Sequence, residues 1–166
     1  RKELGVKTFF NMLGPMVNPA FPKNQMVGVF NLELLRLYGY LYQETDKNYA
    51  VVHALDGYDE ISLTGKTKVI SNATETLFEP SDLGVSQIEQ SEIFGGHTVK
   101  DAAKLFTKII DGKGTEAQNN VVFANAGLAI ATAKQIPHKA GFELAKESLL
   151  SGNAKQSLNK LIELSK

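Results

Sequence analysis

Apolar residues follow two rhythms along this 166-residue chain. In the first half they come as short solid runs. Residues 25–30 are nearly all apolar and include the β-branched Val27 and Val29, which predicts a buried strand. Asn31 is a good helix N-cap, and Leu34, Leu35, Tyr38, Leu41 and Tyr42 follow at helical spacing. Residues 49–55 form a second apolar run. Strand, helix and strand within about 30 residues make a βαβ unit, which implies parallel pairing and a right-handed crossover. Residues 66–72 and 74–79 read as two shorter strands, a hairpin or an antiparallel edge.

The second half changes to helical periodicity. Thr98, with Asp101 three residues on, predicts a capping box. It opens a helix with Val99, Ala102, Ala103, Phe106, Ile109 and Ile110 on one face, ended by Gly112. Residues 117–134 are apolar almost all round, the pattern of a buried central helix. Pro137 starts another helix, with Leu144, Ala145 and Leu149 inward, ending at Gly152. Asn153 caps a last helix that turns Leu158, Leu161 and Ile162 inward. The expected fold class is α/β: a central, largely parallel sheet flanked by helices, with a helical C-terminal third. Without an internal repeat or linker, residues 1–166 read as one domain.

Lysine and arginine together number 18, as do aspartate and glutamate, and there is no cysteine. A neutral chain gives no reason to expect nucleic acid or an anionic membrane as partner. The lack of thiols removes disulfides and thiolate metal sites and fits a reducing compartment. No apolar run approaches the roughly 20 residues that span a bilayer. The charged start is followed by no apolar signal segment. The chain opens at Arg1, without a methionine and without a cap, which leads us to expect a fragment or a processed product.

Open α/β sheets bind ligands beyond the carboxyl ends of their strands. That singles out Phe30-Asn31 and the segment after Leu55. Asp56, Asp59 and Glu60 bring three carboxylates within five residues there. Hard oxygen donors with room for water suit Mg2+, and a solvated acidic turn is the plainer alternative; the residues alone leave both open. Arg1 and Lys2 suit an anion, although a terminal basic pair is usually just solvated. Gly95, Gly96, His97 and Thr98 precede a helix N-terminus, and a plain loop is the simpler account. His53, inside an apolar strand, reads as a satisfied core histidine. His97 and His138 read as surface loop residues. Asn125, inside an apolar helix, needs hydrogen-bond partners if buried and more often fixes packing than does chemistry. No dinucleotide fingerprint, P-loop or nucleophile elbow is present.

Longer motifs carry a resemblance. Residues 1–20, which include Arg1-Lys2-Glu3-Leu4-Gly5 and Asn11-Met12-Leu13-Gly14-Pro15, closely resemble the signature of anthranilate phosphoribosyltransferases. Residues 25–30 do as well. Gly57-Tyr58-Asp59-Glu60-Ile61-Ser62-Leu63-Thr64-Gly65 is similar to that family's metal-binding segment. Residues 80–84, Asn125-Ala126 and Ser151-Gly152-Asn153-Ala154 also look like family positions. Lys7, where arginine is common, and Met16-Val17, for the more usual Leu-Thr, depart from the pattern while keeping charge or apolar character.

The resemblance implies transfer of the phosphoribosyl group from phosphoribosyl pyrophosphate to anthranilate, in tryptophan biosynthesis in the cytoplasm. It puts Mg2+ on Asp59 and Glu60, the anthranilate carboxylate on Arg1, and the lining of the anthranilate channel on Gly14 and Pro15. Arginine suits a carboxylate because its planar fork pairs bidentately. The family's glycine-rich phosphate motif, its substrate-facing loop and the helical domain through which it forms homodimers all precede the position of Arg1. The resemblance therefore implies a fragment that is inactive alone. Cutting a sheet exposes edges and apolar faces, so association or disorder near residues 1–24 is also expected. Two alternatives remain: a pyrimidine nucleoside phosphorylase-like enzyme, and a non-catalytic binding domain of the same fold.

Overall fold

Residues 13–165 are described by the structure, a computed structural model. Four strands form one sheet in the order β1-β2-β3-β4: β1 is Asn24–Gly28, β2 Asn48–Ala54, β3 Thr67–Ser71 and β4 Glu75–Phe78. Helix α1, Leu32–Gln43, connects β1 to β2. After β4 come two short 3₁₀ turns, Pro80–Leu83 and Gln90–Ile93, and four helices: α2, Val99–Ile110; α3, Glu116–Lys134; α4, His138–Leu150; and α5, Asn153–Leu164.

Local chemistry sets several boundaries. The Asn31 side chain accepts from the Leu34 amide at 2.8 Å and starts α1. Thr98 caps α2 by accepting from the Asp101 amide at 3.1 Å. The expected reciprocal half of that capping box is absent, because the Asp101 carboxylate takes the Thr98 hydroxyl at 2.7 Å instead. Thr115 and Gln118 complete a full capping box at α3.

The alternation along β2 divides the core into two layers. Val51, with Val27 and Ile70, faces α1 and packs on Leu34, Leu35, Tyr38 and Tyr42. Ala50 and Val52, with Val69 and Phe78, face the other way, towards Phe123, Ala124, Leu128, Phe142, Ala145 and Leu149 of α3 and α4. The two helices meet at Gly127 and Gly141. A Cβ on Gly141 would lie 2.1 Å from the Gly127 carbonyl oxygen, so only glycine allows this approach.

The α/β class and all four strands agree with the sequence reading, but the largely parallel sheet does not. Of the three pairings among the described residues, β1–β2 is parallel and both β2–β3 and β3–β4 are antiparallel. The connections decide this. Only α1 provides a crossover long enough for parallel pairing; β2 reaches β3 through a loop with no helix, and β3 reaches β4 through a tight turn. The helical third is also less covered than its periodicity predicted. No residue of α2 or α5 is buried: Phe106 is 53% exposed and Leu161 is 64% exposed. α3 buries one side only, through Ala117, Phe123, Ala124, Gly127, Leu128 and Ala131, and leaves Val122 exposed. Leu144 of α4 is exposed too, while Phe142, Ala145 and Leu149 point inward. Asn153 is the first residue of α5, and Gly152, in the left-handed region at φ 82°, is its cap.

Candidate functional site

β2 ends at Ala54, and the chain then folds back before β3. The Gly57 amide donates to the Ala54 carbonyl at 3.0 Å and the Ala54 amide to the Tyr58 carbonyl at 2.9 Å, which closes a tight turn. Residues 55–60 are exposed and residues 61–63 are buried. The three carboxylates do not have one role. Asp56 is used inside the loop: it accepts from the Ser62 hydroxyl at 3.3–3.4 Å and, in a closer contact, from the Thr64 hydroxyl. Leu63, between those two hydroxyl residues, is fully buried and left-handed at φ 60°. That conformation is unfavourable for a leucine, and burial of its side chain holds it there. The resulting bend turns Ser62 and Thr64 towards Asp56.

Asp59 and Glu60 remain. Both are exposed, and neither has an ion pair among the described residues. Their backbone is held from two sides. On one side the Asp59 carbonyl lies against Gly28 at the end of β1, where an added Cβ would come within 1.8 Å of the carbonyl oxygen. On the other, Asn125 of α3 clamps Ile61. Its Oδ1 accepts from the Ile61 amide at 2.9 Å, and its Nδ2 donates to the Ile61 carbonyl at 2.8 Å and to the Val121 carbonyl at 2.9 Å. All the hydrogen-bonding positions of the amide group's nitrogen are thereby used. The outcome is a pair of adjacent, unpaired carboxylates at the carboxyl end of the parallel pair, where open α/β sheets place ligands.

Hard, exposed oxygen donors of this kind fit a divalent cation, but they do not enclose one. Among the described residues no group of three or more histidine, aspartate or glutamate side chains converges on a metal position. Two carboxylates leave most of a Mg2+ coordination shell to water and to substrate oxygens, an arrangement common where Mg2+ meets phosphates.

The other sequence candidates are dispersed. Arg1 lies outside the described residues. Gly14 and Pro15 form a turn after Leu13, and the Pro15 carbonyl accepts from the Gln25 side chain and from the Tyr42 hydroxyl. That turn thus meets β1 at its beginning, whereas Asp59 meets β1 at its end. His53 is the core histidine expected: it is buried, and its Nδ1 donates to the Val29 carbonyl at 2.8 Å. His138 is not a surface loop residue. It opens α4 half-buried, donates from Nε2 to the Ala124 carbonyl at 2.8 Å and packs on the Phe78 ring, and burial pushes its pKa below the ordinary histidine value. His97 is an exposed loop residue beside Phe94.

Gly28, Ser62 and Thr64 lie in the segments that carry the resemblance, but sequence reasoning gave none of them a role of its own. A Ser-x-Thr pair around an apolar residue is a faint signal, and only contact across the fold reveals Gly28 as a spacer. No helix among the described residues is long and apolar enough to cross a membrane.

Comparison with known proteins is consistent over the whole chain. The family model described as "Glycosyl transferase family, a/b domain" matches residues 1–155. Anthranilate phosphoribosyltransferases of Flavobacterium psychrophilum and Christiangramia forsetii are each 64% identical to it over 165 residues, covering 99% of this chain and 50% of each relative. The chain therefore spans about half the length of the curated relatives it matches. Among solved structures, the Saccharomyces cerevisiae anthranilate phosphoribosyltransferase in complex with PRPP and Mg superposes with a TM-score of 0.84 at 29% identity, over 98% of this chain and 47% of that one. The Thermus thermophilus anthranilate phosphoribosyltransferase gives a TM-score of 0.86 at 31% identity, over 96% of this chain and 48% of that one.

Proposed function

Since the chain belongs to the glycosyl transferase family, whose a/b domain it matches over residues 1–155, we propose that it is the carboxyl-terminal part of an anthranilate phosphoribosyltransferase. The reaction would move the phosphoribosyl group of phosphoribosyl pyrophosphate to the anthranilate amine, releasing pyrophosphate, as a cytoplasmic step of tryptophan biosynthesis. The observation that carries this reading is the adjacent, exposed and unpaired Asp59–Glu60 on the loop beyond β2. It is supported by the likeness to anthranilate phosphoribosyltransferases, one of which was solved in complex with PRPP and Mg.

In this reading Asp59 and Glu60 hold Mg2+. When bound, that ion neutralises the charge that builds on the departing pyrophosphate. The chain's own contribution is placement: the β2 loop presents two carboxylates, and Asp56 is kept out of the set by Ser62 and Thr64. Arg1 would pair with the anthranilate carboxylate, and Gly14 and Pro15 would line that substrate's channel. The preceding half, present in the relatives, would bring the phosphate cradle and the homodimer surface.

The test uses this chain joined to that half. Asp59→Asn and Glu60→Gln should each reduce Mg2+-dependent anthranilate consumption by about 100-fold or more, the loss expected when charge stabilisation in a transition state is removed. Full activity in both variants, or phosphorolysis of a pyrimidine nucleoside by the unaltered protein, would rule the reading out.

A further inference from the structure

We propose that Asn125 is a positioning residue for the Asp59–Glu60 pair, setting where the two carboxylates stand by gripping the backbone of the residue that follows them. The inference rests on the reading of Asp59 and Glu60 as metal ligands. Ile61 belongs to no strand or helix, yet it is fully buried. Its amide and carbonyl therefore need partners, since unpaired buried backbone groups are costly. Asn125 supplies both, at 2.9 and 2.8 Å, in the way a neighbouring strand would.

The third bond, to the Val121 carbonyl one turn earlier in α3, fixes the side chain's own rotamer. The grip is therefore rigid at its base. α3 is itself held against α4 through Gly127 and Gly141, and against the sheet through Phe123 and Leu128. On the other side of the pair the Asp59 carbonyl rests on Gly28. Asp59 and Glu60 thus occupy the span between one fixed point on β1 and another on α3. Both contacts are to main chain, so they fix position without consuming a carboxylate oxygen. An asparagine serving only to fill space would leave one side of its amide to water or to its own helix. Groups that orient metal ligands in this way typically alter metal affinity or activity by about 10–100-fold when lost.

The test compares Asn125→Ala with Leu35→Ala, a change in the core layer under α1 that costs stability without touching the loop, and with Asp59→Asn. All are made in the joined protein, with Mn2+ as probe. Mn2+ affinity, read by electron paramagnetic resonance with phosphoribosyl pyrophosphate present, should fall about 10-fold or more in Asn125→Ala and stay within twofold in Leu35→Ala. An unchanged affinity in Asn125→Ala while Asp59→Asn abolishes binding overturns the positioning role alone. An unchanged affinity in Asp59→Asn overturns the metal reading and this inference with it. One further measurement needs no variant. The Ile61 amide of the unaltered protein should exchange its hydrogen slowly, as a core amide does, and exchange as fast as the exposed residues 57–60 overturns the proposal even if Asn125→Ala fails to fold.

Discussion

Helices α3 and α2 have similar apolar content in the sequence but opposite fates in the fold. α3 lies between α4 and the sheet and buries six residues, whereas α2, whose apolar stripe is the sharper of the two, buries none. α5 repeats the case of α2. Helical periodicity announces that a face will be covered and is silent about what covers it. For α3 the cover is within the described residues: Phe142 meets Phe123 edge-on with ring centres 5.7 Å apart, and the Gly127–Gly141 contact lets the two backbones close. α2 and α5 reach the core only at one end, through the partly buried Ile109 and Ile110 of α2 and Ala154 of α5, and an ion pair between Lys155 and Asp111 at 2.6 Å joins those ends. The candidate site draws its support from the packed region, through Asn125, and none from the uncovered one.

Substitutions in the two regions test this difference. Phe123→Ala should cost about 3–5 kcal/mol in urea unfolding, the usual loss for a buried phenylalanine. A loss below about 1 kcal/mol would mean that the packed region is not packed. Gly141→Ala should cost about 1–3 kcal/mol, because its methyl group meets the Gly127 carbonyl and forces α3 and α4 apart; an unchanged urea midpoint would contradict the close crossing. His138 gives a smaller, pH-dependent effect. Its pKa is lowered in the fold by burial, so the unfolded chain takes up a proton that the folded chain resists. Stability should therefore be level above about pH 6.5 and fall as the pH drops below it. In His138→Gln that decline should shrink, and an identical pH profile would refute the assignment. The smallest effect is expected in the uncovered region, where Phe106→Ser should shift stability by no more than about 0.5 kcal/mol. A loss as large as that of Phe123→Ala would mean that α2 is covered after all.

The sequence revealed those features that depend on near neighbours. The runs around Val27 and Val51 gave two strands, Asn31 gave the start of α1, and the spacing between them gave their parallel pairing. The antiparallel half of the sheet was legible in the short link between residues 72 and 74, and was obscured only in naming the sheet by its first pair. What was hidden depends on distant contact. Asp56, Asp59 and Glu60 look alike in the chain, and only the left-handed Leu63, which brings Ser62 and Thr64 round, separates Asp56 from the others. Asn125 stands 64 positions from Ile61, so its use as a clamp could not be read from spacing. The His138 environment was missed because the Phe78 ring and the Ala124 carbonyl reach it from other elements.

The most direct measurement is anthranilate consumption, followed by fluorescence with phosphoribosyl pyrophosphate and Mg2+, for this chain alone and for the chain mixed with the separately prepared preceding half of the Flavobacterium psychrophilum relative. The chain alone should give no turnover, and the mixture should give Mg2+-dependent turnover that falls about 100-fold or more with Asp59→Asn. Turnover by the chain alone, or undiminished turnover by a mixture carrying Asp59→Asn, would contradict the assignment of Asp59 and the proposed function.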